Sequence, residues 1–344
     1  MNELKMVCMD NIRELGKKVD SYLKKKYNSS QSYLVEFKRD RFNNGEGKFT
    51  FLESMRDKEV FILSDVGNYS VTYQMHGHEV MMGPDEHFQD IKRCLNALSG
   101  YAKKIVLVMP LLYQSRQDKR NNYESLDCAM ALKELANLGV NEIVTMDVHN
   151  NSVSNAIPNL PFESFLPADV ILKELTSKEK LGDLIVISPD VGATKRARVY
   201  ADTLGINVGL FYKRRDLTKV INGKNPIIEH TYLGDSVKGK TCLVVDDMIA
   251  SGSSIIEVGE RLKSLGAQKV FFITTFSLFT EDIKCFQKSY QNKVFDKLYT
   301  TNLSYIPASY QDEPWLHVVE CSQKIAEIID GIHQSKSLEN FINR

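Results

Sequence analysis

Short runs of apolar and β-branched residues recur along the chain, and most are followed by a polar turn and then a stretch with helical spacing. The clearest runs are 60–66 (VFILSDV), 105–110 (IVLVMP), 143–148 (IVTMDV), 184–188 (LIVIS), 208–212 (VGLFY), 241–245 (TCLVV) and 270–275 (VFFITT). They are continuous rather than alternating, as expected of parallel strands buried on both faces. After Ser254, the residues Ile255, Val258, Leu262 and Leu265 fall on one helical face, and Gly266 is placed to end that helix. Residues 125–138 read in the same way, with Gly139 closing the helix. Strand–helix alternation predicts an α/β architecture. Pro158, Pro161 and Pro167 punctuate the middle of the chain, and 344 residues suit two domains, here placed at 1–165 and 166–344.

Composition narrows the classes of partner. Lys+Arg and Asp+Glu both number 44, so the formal net charge is zero, which argues against broad electrostatic binding to nucleic acid or an anionic membrane. No apolar run approaches the roughly 20 residues of a membrane span. The longest, 270–279, is broken by Thr and Ser, and the first 18 residues are charged throughout, with no signal-peptide core. The six cysteines, Cys8, Cys94, Cys128, Cys242, Cys285 and Cys321, form no CxxC pair. Reduced thiols in a cytoplasmic protein are the expectation, rather than a disulfide framework or a zinc site.

The most informative stretch is LVVDDMIASGSS, residues 243–254. An apolar strand ends in two adjacent carboxylates, a loop of small residues follows, and a helix begins. Ligands of open α/β sheets bind beyond the carboxyl ends of the strands. A helix start offers unpaired N–H groups and a positive dipole end to an anion. Ser251, Ser253 and Ser254 add hydroxyls, and Gly252 permits close backbone approach. Asp246 and Asp247 cannot hold a phosphate themselves but suit donors such as the 2- and 3-hydroxyls of a ribose. A phosphate beside a diol is a sugar phosphate, and ribose phosphate binding is the expectation here.

This stretch resembles the phosphoribosyl-diphosphate motif of type I phosphoribosyltransferases and of ribose-phosphate diphosphokinases. Further segments choose between the two. PLLYQSRQD at 110–118 is similar to the diphosphokinase PYxxYARQD, TMDVH at 145–149 to TMDLH, and SPDVGA at 188–193 to SPDxGG. YKRR at 212–215 resembles the KRR-type catalytic loop, and RFNNGE at 41–46 resembles RFxDGE. These segments occur in the family's order and cover most of 35–255. Simple phosphoribosyltransferases lack the series, so the chain is identified as a member of the ribose-phosphate diphosphokinase family. The resemblance implies two phosphoribosyltransferase-type domains, each with a mostly parallel β-sheet flanked by helices. The activity it implies is transfer of the diphosphoryl group of ATP to ribose 5-phosphate, feeding nucleotide biosynthesis.

Site residues follow by the same resemblance. Asp246, Asp247, Ser251, Gly252, Ser253 and Ser254 are expected to hold ribose 5-phosphate. Lys213 and Arg215 are expected to be catalytic, at the start of a long polar connection, 216–230, just past a strand. Cation placement there suits diphosphoryl transfer, which spreads negative charge over phosphate oxygens. Arg116 and Gln117 are assigned to ATP. Phe42, Asn44 and Glu46 are also assigned to ATP, on a hairpin with Asn44-Gly45 as its tight turn. In the family this hairpin serves a neighbouring subunit, which implies a dimer-based homo-oligomer such as a hexamer. His149 and Asp190 are assigned to Mg2+, for which Asp190 is the natural oxygen ligand. Lys24, Lys25 and Lys26 are read as a solvated helix end, and His76 and His78 as a surface loop.

The chain also departs from the pattern. The acidic residue of the usual phosphate loop is lost at Ala250 and the Gly is shifted; the second Gly of SPDxGG is Ala193; and the Asp of RFxDGE is Asn44. Residues 118–123 and the insertion-like region 69–90 also depart. A catalytically silent regulatory homologue and a simple phosphoribosyltransferase are the rival readings. The retained basic triplet Lys213-Arg214-Arg215 weighs against the first, and the ATP-type segments weigh against the second.

Overall fold

The structure, a computed structural model, describes residues 3–215 and 227–341, without the side chains of 213–215, 227–230 and 340. The chain divides into two compact units. The first comprises Met1–Pro167, Asn302–Tyr305 and Glu320–Asn343, and the second Ala168–Thr301 and Ile306–Val319. The division after Pro167 lies close to the expected boundary, but residues 320–343 group with the first unit instead of the second.

In the first unit, five strands form an all-parallel sheet: β1 (Leu4–Cys8), β4 (Glu59–Leu63), β7 (Lys104–Val108), β8 (Glu142–Met146) and β9 (Phe162–Phe165), in the order β1-β4-β7-β8-β9. Strands β4 and β8 are buried at every position, which explains their continuous apolar sequences. Helix α1 (Arg13–Tyr27) buries Leu15, Val19 and Leu23 at four-residue spacing. Its last turn is solvated as expected, with Lys25 and Lys26 exposed, while Lys26 Nζ also lies 2.7 Å from the buried Asp330 carboxylate and Tyr27 Oη donates to the same group at 2.6 Å. These bonds tie the C-terminal helix Ser322–His333 to α1, and that packing brings the tail back to the first unit. Helices α2 (Pro84–Leu98) and α3 (Asp127–Asn137) complete the unit.

Two antiparallel hairpins stand outside this sheet: β2 (Phe37–Arg41) with β3 (Gly47–Phe51), and β5 (Thr72–Met75) with β6 (His78–Met81). The first turn differs from a two-residue Asn-Gly turn. Its loop is Asn43-Asn44-Gly45, with only Gly45 at positive φ (+92°), and Phe42 and Glu46 close the ladder through a 2.8 Å backbone bond. This is a three-residue loop ending in a left-handed glycine. His76 and His78 belong to a tight hairpin rather than a loop. The turn is His76-Gly77, at φ +49° and +79°, as a two-residue turn matching strand twist requires.

The second unit contains β10 (Leu184–Ser188), β11 (Val208–Arg215), β12 (Ile227–Leu233), β13 (Thr241–Ile249), β14 (Lys269–Ser277), β15 (Lys297–Thr301) and β16 (Leu316–Val319). Their order is β12-β11-β10-β13-β14-β15-β16, parallel except for β12 against β11. Helices α4 (Ala168–Lys178), α5 (Thr194–Leu204), α6 (Ser253–Ser264) and α7 (Lys284–Gln291) accompany the sheet. In α6, Ile255, Val258 and Leu262 are buried as expected, but Leu265 lies past the helix end and is exposed. Beneath the start of α6 is an aromatic cluster in which Phe286 stacks on Trp315 at 5.5 Å between centroids, with Phe279 and Phe295 edge-on to Trp315.

Asp65, just beyond β4, anchors the 302–305 segment within the first unit. Its carboxylate accepts from Ser304 Oγ (3.0 and 3.1 Å), Tyr305 N–H (2.8 Å) and Gly67 N–H (2.9 Å). Complete burial nevertheless pushes its pKa up to about 7 against the pull of these donors. A carboxyl raised above its unfolded value of 3.8 contributes stability that is fully present below pH 4 and lost as pH rises through 7. Unfolding free energies from urea titrations between pH 4 and 8 should therefore fall by on the order of a few kcal/mol through this group. The variant Asp65→Asn should lack that part of the slope; an unchanged slope would remove Asp65 as its source.

Candidate active site

Strand β13 continues four residues past its expected end, so Asp246 and Asp247 lie within the strand, with Asp246 in register with Thr274 of β14. Arg196 of α5 reaches both side chains. Its Nη1 is 3.9 Å from Asp246 Oδ1 and its Nη2 is 3.8 Å from Asp247 Oδ2, with the arginine side chain 10% exposed. Burial and then the neighbouring Asp247 carboxylate hold the Asp246 carboxyl well above the ordinary range, opposed by the guanidinium. Sequence reading missed Arg196. The only signal was a basic residue one helical turn into the helix after Asp190, which by itself reads as surface charge.

The loop that follows is shaped by packing. Gly252 sits at φ +86°, and a Cβ there would lie 2.2 Å from the Phe286 ring. The glycine is thus required by the aromatic cluster beneath it as well as by its left-handed backbone. The first helical bond of α6 runs from Ile256 N–H to the Gly252 carbonyl (3.1 Å), leaving the N–H groups of Ser253, Ser254 and Ile255 without helical acceptors. Ser253 and Ser254 are exposed, Ser251 Oγ is 3.3 Å from Ser253 Oγ, and the first turn carries no acidic residue. A helix N-terminus of this kind attracts an anion through its dipole and its N–H groups.

Asp190 follows β10, the strand beside β13. It is exposed, and its Oδ1 accepts from Ala193 N–H at 3.0 Å, so it organises the turn into α5 and retains a second carboxylate oxygen. Ala193 sits at φ −79°, ψ −4°, an ordinary helical conformation that explains why a glycine is unnecessary there. Lys213 and Arg215 lie inside β11 instead of past it, because β12 extends the pairing, with Lys213 opposite His230 and Arg215 opposite Ile227. The expected connection is correspondingly shorter. Residues 216–226 and the side chains of Lys213 and Arg215 lie outside the described residues. Asp190, Asp246 and the end of β11 are all carried by the three adjacent strands β11-β10-β13, at their carboxyl ends.

In the first unit, Phe42, Asn44 and Glu46 occupy the β2–β3 turn, where Phe42 is 56% exposed. Asn44 braces Glu46, donating from Nδ2 to Glu46 Oε2 (3.0 Å) and accepting from Glu46 N–H (3.2 Å). An aspartate could not make the first bond, so the substitution has a local role. Arg116 is exposed after β7. Gln117 faces the chain itself, its Nε2 donating to the Ser125 carbonyl at 2.8 Å. Asp118 accepts from Asn150 Nδ2 at 2.6 Å, which ties this loop to the one carrying the exposed His149 after β8. Within this unit, Arg116, Gln117 and His149 share the carboxyl edge of the sheet, whereas Phe42, Asn44 and Glu46 sit on the separate hairpin.

Among the described residues, no three His, Cys, Asp or Glu side chains group into a metal cage. A cation held chiefly by substrate phosphates and water, as magnesium commonly is, needs only one or two protein oxygens, and the exposed Asp190 carboxylate fits that demand. His149 offers nitrogen, which fits it less well.

Both units are thus α/β sheets of the phosphoribosyltransferase type, with polar groups gathered at the carboxyl ends of their strands. The family model for the N-terminal domain of ribose phosphate pyrophosphokinase matches residues 4–139, and that for the phosphoribosyl transferase domain matches residues 168–302. The chain belongs to the ribose-phosphate pyrophosphokinase family of enzymes. It is 28% identical over 281 residues to the ribose-phosphate pyrophosphokinase of Mycoplasma genitalium, covering 81% of this chain and 77% of the relative. It is 26% identical to that of Vibrio cholerae over the whole of both chains. Ribose-phosphate pyrophosphokinase 3 of Saccharomyces cerevisiae is 25% identical, over 98% of this chain and 96% of its own. A phosphoribosylpyrophosphate synthetase structure from Mycobacterium smegmatis shares the fold with a TM-score of 0.78 at 22% identity, covering 97% of this chain and 100% of that one.

The Arg196 contacts generate a test that needs no ligand. In Arg196→Met, the cation favouring the ionised carboxylates is gone, and the Asp246 carboxyl should titrate higher still. Arg196→Lys should keep part of the effect. Carboxyl NMR titration reads both, and an unmoved Asp246 in the methionine variant would show that Arg196 does not act on it.

Proposed function

We propose that the chain transfers the β,γ-diphosphoryl group of ATP to the anomeric hydroxyl of ribose 5-phosphate. The sugar oxygen forms a bond to the β-phosphorus, the bond from that phosphorus to the α,β-bridging oxygen breaks, and the hydroxyl proton leaves to solvent. The products are 5-phosphoribosyl 1-diphosphate and AMP, the first being a precursor for nucleotide biosynthesis. The observation that carries this reading is the juxtaposition, on β13 and α6, of two carboxylates beside Arg196 and a serine-lined helix N-terminus.

In this reading, Asp246 and Asp247 accept from the ribose 2- and 3-hydroxyls, and Ser251, Gly252, Ser253 and Ser254 hold the 5-phosphate. Phe42 stacks on adenine while Glu46, oriented by Asn44, contacts the base, and Arg116, with Gln117 supporting its loop, meets the phosphates. Lys213 and Arg215 place positive charge on the oxygens of the transferring group. Asp190 of the second unit and His149 of the first are each assigned to Mg2+, which would screen the phosphate charge of ATP. The active form is a homo-oligomer built on a dimer, in which the β2–β3 turn serves a neighbouring subunit. All six cysteines are free thiols, and no helix among the described residues is long and apolar enough to cross a membrane; both agree with a cytoplasmic enzyme acting on small molecules.

Incubation of the purified protein with ATP, magnesium and ribose 5-phosphate should yield AMP and phosphoribosyl diphosphate in equal amounts, followed by phosphorus NMR. Intact ATP would favour a silent homologue. Lys213→Ala should lower turnover about 10²–10³-fold while leaving ribose 5-phosphate binding unchanged; near-normal turnover would remove Lys213 from the mechanism.

Gly252→Val places a branched side chain against Phe286 at a left-handed position. Calorimetric titration should show weakened ribose 5-phosphate binding and retained ATP binding. Loss of ATP binding alone, or unchanged sugar-phosphate binding, would overturn the assignment of 246–254.

A further inference from the structure

The β5–β6 hairpin lies within the region, 69–90, that departs from the family layout, and the proposed mechanism leaves it without a task. Its contacts converge on the β2–β3 turn. His76 N–H donates to the Asn43 carbonyl at 2.8 Å, joining the tips of the two hairpins through their backbones. The Met75 thioether lies over Gly45, with its sulfur 2.7 Å from where a Cβ would be and the Tyr73 ring edge 3.9 Å away. At the base of the turn, the Arg41 guanidinium sits 5.0 Å over the Tyr73 ring, while its Nη2 donates to both oxygens of Asp90 from α2, at 2.9 and 2.8 Å. Arg41 is thereby held from two sides, by a carboxylate and by a π face.

A two-stranded ribbon by itself is marginally stable in water. The β2–β3 turn nevertheless presents Phe42 to solvent at 56% exposure, so its direction depends on what supports its back. We propose that the β5–β6 hairpin is a brace for this turn, and that Tyr73 and Met75 are positioning residues for the nucleotide subsite formed by Phe42 and Glu46. The inference rests on the proposed nucleotide role of that turn. The brace acts through Arg41, Asn43 and Gly45, and its effect is to reduce the conformational freedom that nucleotide binding would otherwise have to restrict.

The test pairs a structural readout with a kinetic one in the full-length protein. Tyr73→Ala and Met75→Ala should accelerate amide hydrogen exchange across residues 42–46. They should also raise the KM for ATP about tenfold, with kcat and the KM for ribose 5-phosphate within about twofold and thermal melting close to that of the parent. Tyr73→Phe, which keeps the ring, should restore both readouts, and Gln74→Ala, on the exposed face of the same strand, should alter neither. Unchanged exchange in both alanine variants overturns the brace whatever the kinetics. If Phe42→Ala raises the KM for ATP but the brace variants do not, the positioning role fails and the nucleotide assignment stands. If Phe42→Ala leaves that KM unchanged, the nucleotide assignment fails, and exchange still decides whether the hairpin braces the turn. A uniform loss of both substrates together with a lower melting temperature overturns the positioning role in favour of a purely structural one.

Discussion

A parallel strand buried on both faces cannot return beside itself through a tight turn. Each one must leave the sheet at its carboxyl edge, cross over through a helix or long loop and re-enter at the opposite edge. That constraint places the chemistry in both units. In the second unit it sends the turn after β10 and the loop after β13 out beside each other, with the extended end of β11 next to them. In the first unit it brings the loops after β7 and β8 to one edge, where Asn150 and Asp118 bind them together. Groups thirty or more residues apart in sequence thus become neighbours because apolar strands between them have only one way to be covered.

At the β13–α6 junction, packing and electrostatics divide the work. The aromatic cluster around Trp315 supports the loop from below and leaves room only for glycine at position 252. Above it, the loop carries hydroxyls and unbonded N–H groups with no acidic side chain in the first helical turn to compete for the dipole. Ala250, where an acid is usual, fits that division: two carboxylates already stand at the end of the strand, and Arg196 is engaged with both. An additional negative charge would weaken the attraction of this helix start for any anion.

The other departures also have local physical causes. Ala193 stands in a helical conformation that needs no glycine. Asn44 supplies the donor that holds Glu46 in place, which a carboxylate could not do. Residues 72–81 form a second hairpin whose backbone and thioether contact the first at its tip and its glycine.

Elements whose signal is local were legible in the chain before folding is considered. Continuous apolar runs marked seven of the strands, glycines marked the ends of α3 and α6, and the order strand–Asp–Asp–small loop–helix marked the junction of β13 and α6. Prolines interrupt both periodicities near Pro167, but no local signal marked the segments 302–305 and 320–341 as part of the first unit. The sequence did not reveal β1, β9, β15 or β16, whose short or mixed sequences become strands only by pairing with neighbours far along the chain. Nor did it reveal the return of the C-terminal helix to α1, since an amphipathic stripe states that a face will be buried but not against what. The strand character of Lys213 required β12, the demand for glycine at position 252 arose from the Phe286 ring, and the pairing of Arg196 with Asp246 and Asp247 spans some fifty residues. Side-chain periodicity is set by the backbone within a few residues. Contacts that orient a charge or close a turn from behind are set by whichever distant segment the sheet order brings alongside, and tertiary structure alone decides that.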